Sequence, residues 1–170
     1  NSLLLQKVQS GISALDESTL RQKFQAEIRQ LNKLFPSSNR ERELLTILRR
    51  MHSMDIVQVQ NALNTIRKIF EALLDTVCEE QDVPSRLDRK AQIDYLSGRK
   101  YYQNNTRQDN PLNQPVFPEY LQHSALALWR LSSAASHLNN DAIACTKNTS
   151  IGATHLLLDF VNWVGVWMDE

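Results

Sequence analysis

Apolar residues recur along this chain at steps of three and four, the spacing that lines up side chains on one face of an α-helix. Leu3, Leu4, Val8, Ile12 and Leu15 predict a first helix. Leu20, Phe24, Ile28, Leu31 and Leu34 predict a second, ended by Pro36 with Ser37 and Ser38. Ser38-Asn39-Arg40-Glu41 has capping-box spacing and opens a third helix through Leu44, Leu45, Leu48 and Met51. Asp55 is placed to cap a long central helix from about Ile56 to Glu80, carrying Val59, Leu63, Ile66, Phe70, Leu73, Leu74 and Val77. At roughly 1.5 Å per residue that helix spans about 35–40 Å.

Val83-Pro84-Ser85 breaks the pattern, and Ser85 is placed to cap a short helix with Leu87, Ala91 and Tyr95, which Gly98 ends. Residues 99–118 read as an irregular, polar, partly basic loop, because Pro111, Pro115 and Pro118 forbid a continuous helix there. Pro118 leads into a helix from Glu119 to about His137. Leu138 to Lys147 is a connection, and Thr149 or Ser150 caps a last helix to about Asp169. That helix is apolar on several sides, so it must be buried by neighbours or by another subunit. No stretch alternates with period two for long enough to make a sheet. The expected fold is all-α, an up-and-down helical bundle with a long central helix and one long proline-containing loop.

Composition supports this and narrows the function. At 170 residues the chain suits one domain, and Gly and Pro are scarce, at 4 and 5. Lys plus Arg and Asp plus Glu are 19 each, so no global field draws the chain onto nucleic acid or membrane, although a local basic patch is not excluded. Cys78 and Cys145 are too few and too far apart for a disulfide framework or a zinc site. They fit a reducing compartment, and a cytoplasmic location is expected. No signal peptide is visible, and the apolar stretch Ile151 to Met168 contains His155, Asp159 and Asn162, so no membrane span is expected. The start at Asn1 without methionine points to a segment of a longer protein, with other domains or a partner protein beyond it, or to a chain that has lost disordered residues.

There is no glycine-rich phosphate loop, no His-Glu-x-x-His, no Cys-x-x-Cys and no nucleophile elbow. No metal or cofactor is therefore expected. His123, Arg130 and His137 follow one another at steps of seven, close to two helical turns, so one helix face would carry all three. Arginine offers a planar fork to phosphate, and histidine can carry charge or pass a proton. Ser132 to Ser136 are small enough to let a helix or an RNA backbone approach closely. The plainer reading of Arg130 and His137 is a solvated or structural pair. His123 reads most simply as a surface or interface residue, His155 as a core histidine, and His52 as lying near a helix end. Arg67 and Glu71, four apart, make an intrahelical ion pair by default; were Glu71 buried, it could orient an Arg or His from the 119–137 helix. Arg99, Lys100 and Arg107, interleaved with Tyr101 and Tyr102, suit single-stranded RNA; the alternative is a solvated loop whose tyrosines pack inward.

Ile66-Arg67-Lys68-Ile69-Phe70-Glu71-Ala72-Leu73-Leu74, the later Leu131-Ser132-Ser133-Ala134-Ala135-Ser136-His137 and the final tryptophan-ended helix resemble the HEPN superfamily of helical nucleotide-binding domains. The resemblance covers roughly residues 55–169. It divides the chain into an N-terminal helical extension, residues 1–54, and a HEPN-like bundle, residues 55–170. It implies a small dimeric helical bundle. Active members are metal-independent ribonucleases of toxin–antitoxin, CRISPR and phage-defence systems, marked by an arginine followed after four to six residues by a histidine. Arg130 and His137, with six residues between them, fill those places. Leu131 stands where the family often has Asn, Asp or His, and Ser132-Ser133 where related branches carry Gly-Asn.

The resemblance thus implies an antiviral-defence or toxin–antitoxin endoribonuclease acting on RNA as a homodimer. His137 would be its base and Arg130 its phosphate-stabilising group. Beside these two, the residue types and spacing read above assign structural support to Arg67 and Glu71, and substrate contact to His123, Ser133, Arg99, Lys100, Tyr101, Tyr102 and Arg107. The alternative is a non-catalytic dimerisation or protein-interaction module, in which residues 132–136 form a close-packing surface. A nucleotide-sensing module with the basic loop over its ligand is a third reading.

Overall fold

The structure is a computed structural model that describes residues 17–51, 55–133 and 147–170. The helix expected over residues 3–15 lies outside the described residues, as do His52, His137 and Cys145. Residues 17–23 are helical up to a turn at Phe24, after which come α1 (Gln25–Leu34) and α2 (Arg40–Arg50). The central helix α3 (Ile56–Glu80) is followed by α4 (Arg89–Leu96), strands β1 (Tyr101–Gln103) and β2 (Thr106–Gln108), α5 (Glu119–Ser133) and α6 (Lys147–Met168). The architecture is the all-α bundle that the apolar spacing predicts.

The helix ends show which local signals decided the boundaries. Asp55 caps α3 in a full capping box: its carboxylate accepts from the Gln58 N–H at 2.8 Å, and Gln58 Oε1 accepts from the Asp55 N–H at 3.0 Å. No such box forms at Ser38. Its hydroxyl donates to the Phe35 carbonyl instead, Asn39 takes the cap position without a side-chain bond, and Glu41 is drawn away by Arg21 and Asn32. Asp88, rather than Ser85, caps α4 by accepting from the Ala91 N–H at 2.8 Å. Gly98 ends α4 at φ +74°, with Gly98 N–H donating to Tyr95 O and Arg99 N–H to Asp94 O, the bond pattern of a Schellman cap. Thr149 and Ser150 lie inside α6 rather than at its start.

The segment expected to be irregular contains a small antiparallel hairpin. Tyr101 faces Gln108, Tyr102 faces Arg107 and Gln103 faces Thr106. Asn104 and Asn105 both take positive φ, 52° and 61°, as the two central residues of a tight hairpin turn require. The strands have three residues each, too short for a period-two pattern to be legible in the sequence.

One apolar core runs through the bundle. The buried positions of α3 form a broad stripe, Val59, Leu63, Ile66, Phe70, Leu73, Leu74 and Val77 among them. It packs against α5 and α6, which also pack on each other. Phe70, Phe117 and Phe160 meet at its centre, with ring centroids 5.3 Å and 5.9 Å apart. Neighbours within the chain therefore bury the apolar α6. His155 is the exception to expectation: it is exposed, because it shares the outward face with Asp159 and Val166 while Thr154 turns inward. Helix α1 crosses α6, where Gln30 lies over Gly165 and Lys33 Nζ donates to the Gly165 carbonyl at 2.9 Å. Leu31 and Leu44 thus join the same core as Val164.

Candidate functional site

Three elements enclose an open groove of about 580 Å3. The α3 helix contributes Arg67 and Glu71, the start of α4 brings Leu87, Asp88 and Arg89, and the end of α5 supplies Trp129, Arg130 and Ser133. The fold therefore brings together four residues that the sequence singles out: Arg67, Glu71, Arg130 and Ser133. Their convergence follows from the packing of α3 and α4 on α5.

Glu71 organises the α3–α4 side of the groove. Its Oε1 accepts from Arg67 Nε at 2.9 Å, and its Oε2 accepts from Arg89 Nη2 at 3.4 Å. Arg89 is fixed further by Asp75 Oδ1 at 2.5 Å and Gln92 Oε1 at 3.1 Å. Burial works against the Arg89 charge, but the hydrogen bond and charge of Asp75, then those of Glu71, outweigh it, so its pKa is raised. Asp88 is occupied in capping α4. On the opposite wall Arg130 is exposed and has no ion pair among the described residues. Beside it, Trp129 is half-buried, packed against the core while still lining the groove. Ser132 is fully buried, its hydroxyl directed to the Trp129 carbonyl at 3.3 Å. Arg89 and Trp129 escape sequence reasoning. For Trp129 the signal was its adjacency to Arg130; Arg89 carries none, since only the fold places it opposite α5.

The other sequence-predicted residues lie elsewhere. His123 is exposed on α5, with Nε2 3.8 Å from Glu119 Oε1, and does not line this groove. Arg99, Lys100, Tyr102 and Arg107 line a separate groove between α4 and the hairpin, together with Lys90 and Asp94. Tyr101 does not join them. It is buried in a satellite cluster with Leu87, Ala91 and Tyr95, the two tyrosine rings 5.0 Å apart and edge-on. Adjacent strand residues point to opposite faces, so one tyrosine anchors the hairpin while the next is displayed. A smaller cavity of about 220 Å3 between α2 and α3 is lined by no residue that the sequence singles out.

Cys78 is buried, and burial, with the Asp75 charge beside it, pushes its thiol up to about 12. Such a thiol is protonated at neutral pH and is not a nucleophile. No helix among the described residues is long and apolar enough to cross a membrane. No family model matches the chain, and no curated protein or solved structure matches it significantly.

Proposed function

We propose that the groove between α3, α4 and α5 receives a phosphodiester of RNA, and that the chain is a HEPN-like RNA-processing domain of a prokaryotic defence or toxin system. The observation that carries this reading is the convergence of Arg67, Arg89 and Arg130 on one open groove beside the Trp129 ring. Two of these guanidiniums are held by Glu71, and Arg130 projects without a carboxylate partner among the described residues. Two guanidiniums held in place by carboxylates, a third with no carboxylate partner among the described residues, and an aromatic edge suit a phosphate with a base attached.

The chemistry follows from the residue types. A neutral His137, seven residues after Arg130 in the sequence, takes the proton of a ribose 2′-hydroxyl. The 2′-oxygen forms a bond to the adjacent phosphorus, and the bond from phosphorus to the 5′-oxygen breaks. Arg130 stabilises the charge on the non-bridging oxygens. The leaving 5′-oxygen takes a proton from an imidazolium, which the family resemblance assigns to a second copy of the chain. The products are a 2′,3′-cyclic phosphate and a 5′-hydroxyl, with no water consumed.

The test is cleavage of a single-stranded RNA by the full chain and two variants. Removing a preorganised charge-stabilising donor costs about 10²–10³ in rate, and removing a general base about 10²–10⁴. Arg130→Ala and His137→Ala are each expected to lose cleavage on that scale while melting at the wild-type temperature. Arg130→Lys recovers only part of the activity, because an ammonium lacks the planar fork. Wild-type rates in Arg130→Ala would overturn the reading.

A further inference from the structure

Arg89 and Lys90 are neighbours in the chain, yet Arg89 lines the Arg130 groove and Lys90 lines the groove under the hairpin. Consecutive helical residues project about 100° apart, so the two grooves open on adjoining faces of α4. The second groove, about 520 Å3, is lined by Lys90, Arg99, Lys100 and Arg107 against one carboxylate, Asp94. Lys90 is engaged by Asp94 at 2.8 Å and Lys100 by Asp109 at 3.3 Å. Arg99 and Arg107 have no carboxylate partner among the described residues. Tyr102 stands directly across the strand pair from Arg107, and it is 57% exposed.

The support beneath this face is fixed. Tyr101 is buried against Tyr95 and Leu87, tying the hairpin to α4. Asn110 donates through Nδ2 to the carbonyls of Tyr95 at 2.9 Å and Arg99 at 2.7 Å, pinning the chain as it leaves the hairpin. A ring held out to water on an anchored strand loses little freedom when a base stacks on it. A ring flanked by two available guanidiniums is the combination that single-stranded nucleic acid uses, stacking for bases and charge for phosphates. An acidic peptide would engage the cations and leave the ring without a role.

The geometry points to the α4–hairpin groove as a second contact for single-stranded RNA, with Tyr102 stacking on a base and Arg99 and Arg107 holding phosphates. This inference rests on the RNA reading above and extends it to nucleotides flanking the bond bound at Arg130. Fluorescence anisotropy of the full chain with a labelled, 2′-O-methylated 12-nucleotide oligouridylate tests it, since that strand cannot be cleaved by 2′-oxygen attack. Tyr102→Ala is expected to weaken binding about fivefold or more, and Tyr102→Phe to bind like wild type. The double variant Arg99→Ala/Arg107→Ala is expected to reduce the slope of log affinity against log salt by about 1.4. Cleavage of a uridine dinucleotide by the wild-type chain tests the Arg130 groove separately. Wild-type binding of the 12-mer by Tyr102→Ala and by the double variant would overturn the inference. So would a dodecaglutamate peptide competing as well as RNA, which would assign the face to acidic protein segments. If the 12-mer needs the hairpin but the wild-type chain does not cleave the dinucleotide, this contact stands and the cleavage proposal fails.

Discussion

The carboxylate of Glu71 accepts a hydrogen bond from Arg67 at 2.9 Å across one turn of the central helix. Its second oxygen lies 3.4 Å from Arg89 of a helix further along the chain, so one side chain couples α3 to α4 at the floor of the groove. Glu71→Gln keeps the shape and removes the charge. Oligonucleotide affinity at low salt is expected to rise about threefold, because a carboxylate no longer repels phosphate there. Unchanged or weaker binding would mean that phosphate does not approach this wall.

Close approach of α1 and α6 is a separate matter of packing. A Cβ on Gly165 would collide with the side chain of Gln30, including its Cβ, which cannot swing aside. The Gln30 Oε1 is itself buried with no hydrogen-bond partner among the described residues. Gly165→Ala is therefore expected to destabilise the chain by about 1–3 kcal/mol. Adding Gln30→Ala should recover part of that loss. Urea midpoints of the single and double variants measure both effects.

Asp55 satisfies the first turn of a 25-residue helix with two reciprocal bonds. Asp55→Ala is expected to cost about 1 kcal/mol, read as a lower urea midpoint with an unchanged slope. Asp55→Asn, which can still accept from the Gln58 N–H, should retain most of it.

Glu41 supplies the pH dependence. The hydrogen bond from Arg21, helped by Asn32 and the Arg21 charge, outweighs burial and holds its carboxyl below the usual value of 4.5. A lowered folded pKa contributes stability that is present above the unfolded pKa and lost as pH falls through the folded one. The stability advantage of wild type over Glu41→Gln should therefore be flat above about pH 5 and decline below the unfolded value. A difference that does not change between pH 6 and pH 3 would contradict the pairing.

The bundle was legible because helical burial repeats over many turns. The 25 residues of α3 and their Asp55 cap follow from the spacing alone. Boundaries failed where the cap bond went elsewhere, as at Ser38, whose hydroxyl donates to the Phe35 carbonyl, and where a later residue took the cap, as Asp88 does in place of Ser85. The hairpin was hidden by its three-residue strands, and its only local signal was the Asn104-Asn105 pair, which tolerates positive φ. Tyr101 and Tyr102 look alike in the sequence, and only pairing in a strand separates anchor from display. Arg67, Glu71, Arg130 and Ser133 were singled out from sequence, and the fold gathers them; Arg89 depends on how α4 docks, which no local pattern encodes.

The most direct measurement is the chemical identity of the RNA ends left by the full chain, read by mass spectrometry in the presence of a chelator. A strand with a single cleavable ribose, all other positions being 2′-deoxy, should break only after that nucleotide. The expected products are a 2′,3′-cyclic phosphate and a 5′-hydroxyl, lost together in Arg130→Ala. Cleavage of the all-deoxy strand, 3′-hydroxyl ends, or an intact strand after incubation with the wild-type chain would contradict the account.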